Sequence, residues 1–258
     1  MNIILRLIKI FPPEASHKIA LLSLYFLYKT GLLNQFFPKF NNQKIDFFGM
    51  SLSNRLGTAA GLDKDGDYID CLGALGFGFL EVGTVTPLAQ FGNPKPRVFR
   101  IFKEKAVINR LGFNNKGVDY LVKRLKNRKY KGIVGVNIGA NKNSKDQKRI
   151  DDYIECFRKV YKYSDYITVN ISSPNTPGLR DLHDLDNIKN LILNIENEAK
   201  LNNFNRPIFL KISPDESAET IKSIADLINL SNLTGLIISN TTIDKEILHD
   251  KKNIDIDG

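Results

Sequence analysis

The sequence predicts an α/β fold in which parallel strands close as a (β/α)8 TIM barrel. Three observations point there. From about residue 55, short apolar runs alternate with longer amphipathic stretches, the order that a parallel sheet with crossover helices needs. The runs are continuously apolar rather than alternating, as expected of strands covered on both faces. Finally, polar residues stand at or just past the ends of successive runs: Lys64, Thr84, Asn137, Asn170, Lys211 and Asn240. A barrel gathers such residues on its C-terminal face, whereas a doubly wound sheet concentrates its site at one crevice. The segment GTAAGL at 57–62 is too loose for a dinucleotide-binding GxGxxG.

Taken in order, residues 1–45 form an N-terminal helical extension. Pro12, Pro13 and Glu14 suit a helix start, where proline costs no hydrogen bond and an acid faces the positive end of the helix dipole. Ala15, Ile19, Leu22 and Phe26, with Ala20, Leu24 and Leu27, recur at helical spacing. The charge-free run 19–28 is too short for a bilayer core, which needs about 20 residues, and no small-residue cleavage site marks a signal peptide. Six basic side chains and one acid in residues 1–45 supply more than half of the chain's net charge of +9. That pattern fits a helix lying on an anionic membrane surface. It fits equally a helix packed on the barrel with its lysines solvated. Residues 45–53 read as a hairpin around Gly49 and Met50. Strands are expected at 55–60, 77–84, 133–139, 166–172, 207–212 and 235–240. Helices are expected at 69–75, 118–127, 151–161, 185–199 and 218–230, and a second hairpin at 97–108, turning near Lys103 and Glu104.

Several classes drop out. Cys71 and Cys156 have no CxxC spacing, which argues against a disulfide scaffold or a thiolate zinc site. The three histidines, at 17, 183 and 249, make no HxH or HExxH pair, so no metal site is expected. The basic residues lack the clustering of a nucleic-acid reader.

Chemistry concentrates in four segments. NISSPNTPGLR (170–180) follows a strand and is dense in hydroxyls and amides; buried amides need partners, and a planar polar ligand can supply them. AAGLDKD (59–65) has small residues that let the backbone approach a flat ligand. NRLGFNN (109–115) is the third. In FLKIS (209–213) a lysine interrupts an apolar strand, and a buried ammonium calls for an anion or an electron-rich acceptor.

Together with EVGTVTP (81–87), GNPKPRVFR (92–100), LKISPD (210–215) and SNTT (239–242), these segments resemble dihydroorotate dehydrogenase, in order from about residue 12 to 258. Serine in NISSPN and the helical extension resemble class 2, the quinone-linked, membrane-associated enzymes; class 1 carries cysteine there. The resemblance implies oxidation of (S)-dihydroorotate to orotate in pyrimidine (UMP) biosynthesis, with FMN taking the hydride and a quinone as final acceptor. It implies a monomer, peripheral on the cytoplasmic face of the inner membrane. It makes Ser173 the base for the substrate C5 proton. Lys64, Asn109, Arg110, Leu111, Gly112, Phe113, Asn170, Asn175, Asn240 and Thr241 become substrate residues. Ala60, Gly61, Leu62, Asp63, Lys64, Thr84, Asn137, Asn170, Lys211 and Ser239 become flavin residues. Ser239 stands where the family usually has threonine, and Leu111 where methionine is frequent. The family continues beyond Gly258 into a glycine-rich loop and two more strands with the flavin phosphate site. Residues 46–258 are therefore expected to form six of eight strands, lacking the last two β/α units. The alternative expectation is an inactive barrel fragment that cannot retain FMN.

Overall fold

The computed structural model of the protein describes residues 10–36, 44–173, 184–246, 248 and 256. Helix α1 (Pro13–Lys29) starts at the proline pair, and a short α2 (Leu33–Phe36) follows. A hairpin of β1 (Ile45–Phe47) and β2 (Met50–Leu52) comes next, then α3 (Ile69–Gly73) and β3 (Phe79–Val85). β4 (Val98–Ile101) and β5 (Ala106–Asn109) make the second expected hairpin. The remainder alternates: α4 (Val118–Lys126), β6 (Ile133–Ile138), α5 (Asp146–Val160), β7 (Tyr166–Asn170), α6 (Leu185–Leu201), β8 (Ile208–Ile212), α7 (Ala218–Asn229) and β9 (Gly235–Ile238).

The main sheet is parallel, in the order β3-β6-β7-β8-β9. Each strand lies beside the next in sequence and the order never reverses. That is the winding of a barrel, and it lacks the switch point of a doubly wound sheet. Among the described residues the barrel is not closed. The strand expected at 55–60 is a correction. It is reduced to one parallel bridge, Gly57 to Phe79, with Thr58 N–H donating to the Phe79 carbonyl at 3.2 Å. Side-chain bonds replace a ladder here: Asn54 bonds the Gly76 carbonyl and the Leu56 N–H, and Leu56 is exposed. Helix α5 begins five residues before the expected 151. Its first turn is polar, so apolar periodicity starts only at Ile150.

Strand residues alternate between two environments. Leu80, Val82, Val134, Val136, Ile138, Ile167, Val169, Leu210 and Ile212 join one core with helix residues such as Leu121, Phe157, Leu191 and Ile195. Each such side chain is worth about 1.5–3 kcal/mol by burial. The intervening residues face the barrel interior. There Phe79, Tyr166 and Phe209 pack with Met50 and Leu52 of the β1-β2 hairpin. The same face carries Glu81, Asn137, Thr168, Asn170 and Lys211, all buried.

The extension is not detached. Leu21 enters the main core. The buried Arg97 guanidinium donates from Nε and Nη2 to the Glu14 carboxylate at 2.9–3.2 Å, and from Nη1 to the Phe91 and Asn93 carbonyls. Burial works against the Glu14 charge, but the Arg97 bonds outweigh it and hold the carboxyl below its usual range.

Candidate active site

A cavity of about 240 Å³ opens at the C-terminal ends of the strands. Six segments build it. Ala60, Gly61 and Lys64 come from the loop after the Gly57 bridge, Thr84 from β3, Asn109 from the end of β5, and Leu111, Gly112 and Phe113 from just beyond it. Asn170 and Ser173 come from β7 and its loop, Lys211 from β8, and Asn240 and Thr241 from beyond β9. Every residue of this lining is one the sequence marks as facing a ligand, and the structure brings them together. Gly61 has φ +105°, and a Cβ there would meet nothing within 4 Å. The backbone wall is thus open to a flat ligand.

Two lysines give the cavity its charge. The Lys64 ammonium donates to Asn114 Oδ1 at 2.5 Å. Burial pushes its pKa down to about 8, and the nearby Arg97 cation pushes the same way. Lys211 is 7% exposed, and its ammonium has no hydrogen-bond or ion-pair partner among the described residues. An unpartnered buried cation is costly unless a ligand completes it.

The floor is a continuous polar network. The Thr84 hydroxyl donates to Asn137 Oδ1 at 2.6 Å. The Asn170 amide donates to Thr84 Oγ1 at 2.9 Å and Asn137 Oδ1 at 3.1 Å. Asn170 Oδ1 accepts from the Ser172 hydroxyl at 2.6 Å and N–H at 3.1 Å. Asn240 Nδ2 donates to Ser172 Oγ at 3.1 Å. Ser172 and Glu81 are network members that sequence reasoning missed. The available signal was an acid in mid-strand, in EVGTV.

Other expected site residues stand elsewhere. Asn137 is fully buried beneath the lining, and Ser239 borders a second, more apolar cavity of about 360 Å³ inside the barrel. The Asp63 carboxylate accepts from the N–H groups of Asp67 and Tyr68 at 3.0 and 2.8 Å, and burial raises its pKa to about 6. Arg110 donates to the Pro96 carbonyl and lies over the Phe99 ring, outside the lining. Leu62 is outside the lining too, and Asn175 lies outside the described residues.

Fold and site together define a barrel protein with a buried, cationic, amide-rich ligand cavity at its strand ends. A family model described as dihydroorotate dehydrogenase matches residues 43–257, and the chain belongs to that family. It is 47% identical over 249 residues to the dihydroorotate dehydrogenase (quinone) of Saccharophagus degradans, covering 95% of this chain and 74% of that one. With the enzyme of the same name from Mannheimia succiniciproducens it is 45% identical over 256 residues, again 95% and 74%. Among solved structures, DHODH from Eimeria tenella in complex with ferulenol is 32% identical with a TM-score of 0.84, over 96% of this chain and 72% of that one.

Proposed function

We propose that this chain oxidises (S)-dihydroorotate to orotate in pyrimidine biosynthesis, with a quinone as final electron acceptor. The observation that carries the reading is the convergence of Lys64, Lys211, Ser173 and the asparagine amides on one cavity. FMN is the cofactor this family implies. The residues fit it: Lys211 offers a cation with no partner among the described residues, and Gly61 leaves room for a flat ring. Ala60, Gly61, Lys64, Thr84, Asn170 and Lys211 would hold it, with Asn137 bracing Thr84 and Asn170 from beneath. When bound, FMN would supply the hydride acceptor and the electron route to the quinone. The chain's own residues do the rest. Ser173, a residue 3% exposed, takes the proton from substrate C5 on its Oγ, away from bulk water. Asn109, Asn170, Asn240 and Thr241, with Asn175, orient the ring and carboxylate, and Lys64 balances the carboxylate charge. Dihydroorotate-dependent quinone reduction by yellow purified protein is the expected result. Colourless, inactive protein would favour the barrel fragment that cannot retain FMN.

The Lys64 reading has a pH signature. Its charge in the free cavity is present below about pH 8 and lost as pH rises through that value. Orotate affinity therefore weakens above pH 8. At pH 8–9, binding draws a proton onto Nζ. Calorimetry in buffers of different ionisation enthalpy reads that uptake; zero uptake at pH 8.5 would argue against a Lys64–carboxylate contact.

The extension is the membrane- and quinone-facing part of this reading. No helix among the described residues is long and apolar enough to cross a membrane. α1 instead turns Leu21 inward and leaves Ile19, Leu22 and Phe26 exposed, with Phe26 at 64%. A helix with such an outer face lies in the interfacial plane. Substituting Ile19 and Phe26 by glutamate should reduce co-sedimentation with anionic vesicles at least fivefold while leaving orotate binding unchanged. Undiminished co-sedimentation would exclude α1 as the contact. Association with the cytoplasmic face as a monomer completes the proposal.

A further inference from the structure

The geometry points to Glu81 as a positioning residue that sets the hydrogen-bond polarity of the cavity floor. This deepens the dihydroorotate dehydrogenase reading and rests on it. Glu81 sits in mid-β3, 5% exposed, facing the barrel interior. Its carboxylate takes three side-chain hydrogen bonds. Oε2 accepts from the Tyr166 hydroxyl and from Thr168 Oγ1, each at 3.0 Å. Oε1 accepts from Asn137 Nδ2 at 2.9 Å. Glycine at 135 makes this possible: a Cβ there would stand 2.0 Å from the Tyr166 ring.

The consequence lies one residue further on. An amide has a donor end and an acceptor end, and nothing in its shape distinguishes them. An ionised carboxylate only accepts, so Asn137 must turn Nδ2 toward Glu81 and Oδ1 toward the cavity. Oδ1 then accepts from Thr84 and Asn170. Were Asn137 reversed, its NH2 would face the Asn170 NH2, donor against donor. The Asn170 amide is already committed, because the Ser172 backbone N–H can only donate to its Oδ1. Glu81 thus makes the two asparagines compatible. It does so from below the cavity, outside the lining. The two buried hydroxyls hold Oε2 and so fix the carboxylate plane.

Glu81→Gln and Glu81→Met separate polarity from charge and bulk. Glutamine keeps an acceptor for Asn137, while its NH2 donates to hydroxyls that rotate to accept. Methionine is of similar length and has only a weak thioether acceptor. We expect E81M to lose at least tenfold in kcat/KM for dihydroorotate and in orotate affinity, read by the flavin absorbance change. E81Q should stay within threefold of wild type. Should E81M not fold, Glu81→Asp carries the test, since a carboxylate one methylene shorter keeps the charge but falls short of Asn137; a tenfold loss is again expected. A folded E81M or E81D with wild-type kcat, KM and orotate affinity, altered only in melting temperature, would reduce Glu81 to a structural residue and overturn the inference. E81Q impaired as much as E81M would also overturn it, by making charge the cause. Wild-type protein that neither binds orotate nor oxidises dihydroorotate would sink the parent reading, and this inference with it.

Discussion

Ser173→Ala should lower kcat for dihydroorotate oxidation by about 10²–10⁴-fold, the usual contribution of a positioned base, while the protein stays yellow. Ser173 lines the cavity directly after β7, beside the Asn170–Ser172 bonds that fix the backbone there. Removing one oxygen from a buried hydroxyl leaves the walls unchanged, so orotate affinity should shift by less than about tenfold. A loss confined to kcat marks a group that acts in the transition state. A serine hydroxyl is a weak base at its ordinary pKa, so its surroundings must activate it. Where Ser173 is the base, raising the pH should therefore speed the wild-type protein more than S173A. Stopped-flow flavin bleaching by dihydroorotate measures the step directly. Bleaching of S173A at the wild-type rate would assign the proton to another group.

The strand-end residues were legible because each breaks an apolar run. Sequence alone places Lys64, Thr84, Asn170, Lys211 and Asn240 at one end of the sheet, and they share one cavity. What stayed hidden depends on neighbours far apart in sequence. Glu81 looks like one acid in a strand, and its partners lie 56, 85 and 87 residues away on β6 and β7. Reading the strands as apolar throughout also concealed their inward faces. Glu81 and Thr168 share that inward face with Asn137 and Lys211, and only the register reveals that the four are neighbours. The missing strand at 55–60 has a related cause. Local composition specifies a strand-like run, but pairing beyond the Gly57 bridge is a tertiary outcome.

Lys211→Met should divide stability from activity. The Lys211 side chain is buried on a central strand, between Asn170 of β7 and Ile237 of β9, with no partner for its ammonium among the described residues. Replacing even a buried ion pair by apolar side chains of similar volume is often neutral or stabilising by about 1–4 kcal/mol, and the Lys211 ammonium has no protein ion pair among the described residues to lose. The ligand-free variant should therefore melt several degrees higher, at roughly 2–4 °C per kcal/mol for a domain of this size. Turnover should fall by about 10²–10³, the scale of losing one preorganised electrostatic contact in a closed site. A cation that only held the fold would give the opposite pair of results, a lower melting temperature with turnover preserved. Flavin content distinguishes the two ways activity can be lost. Retained flavin with slow bleaching means that the charge acts on the reaction, whereas colourless K211M means that it acts on cofactor binding. Either outcome with a raised melting temperature shows a residue kept at the expense of stability for what it does to a ligand.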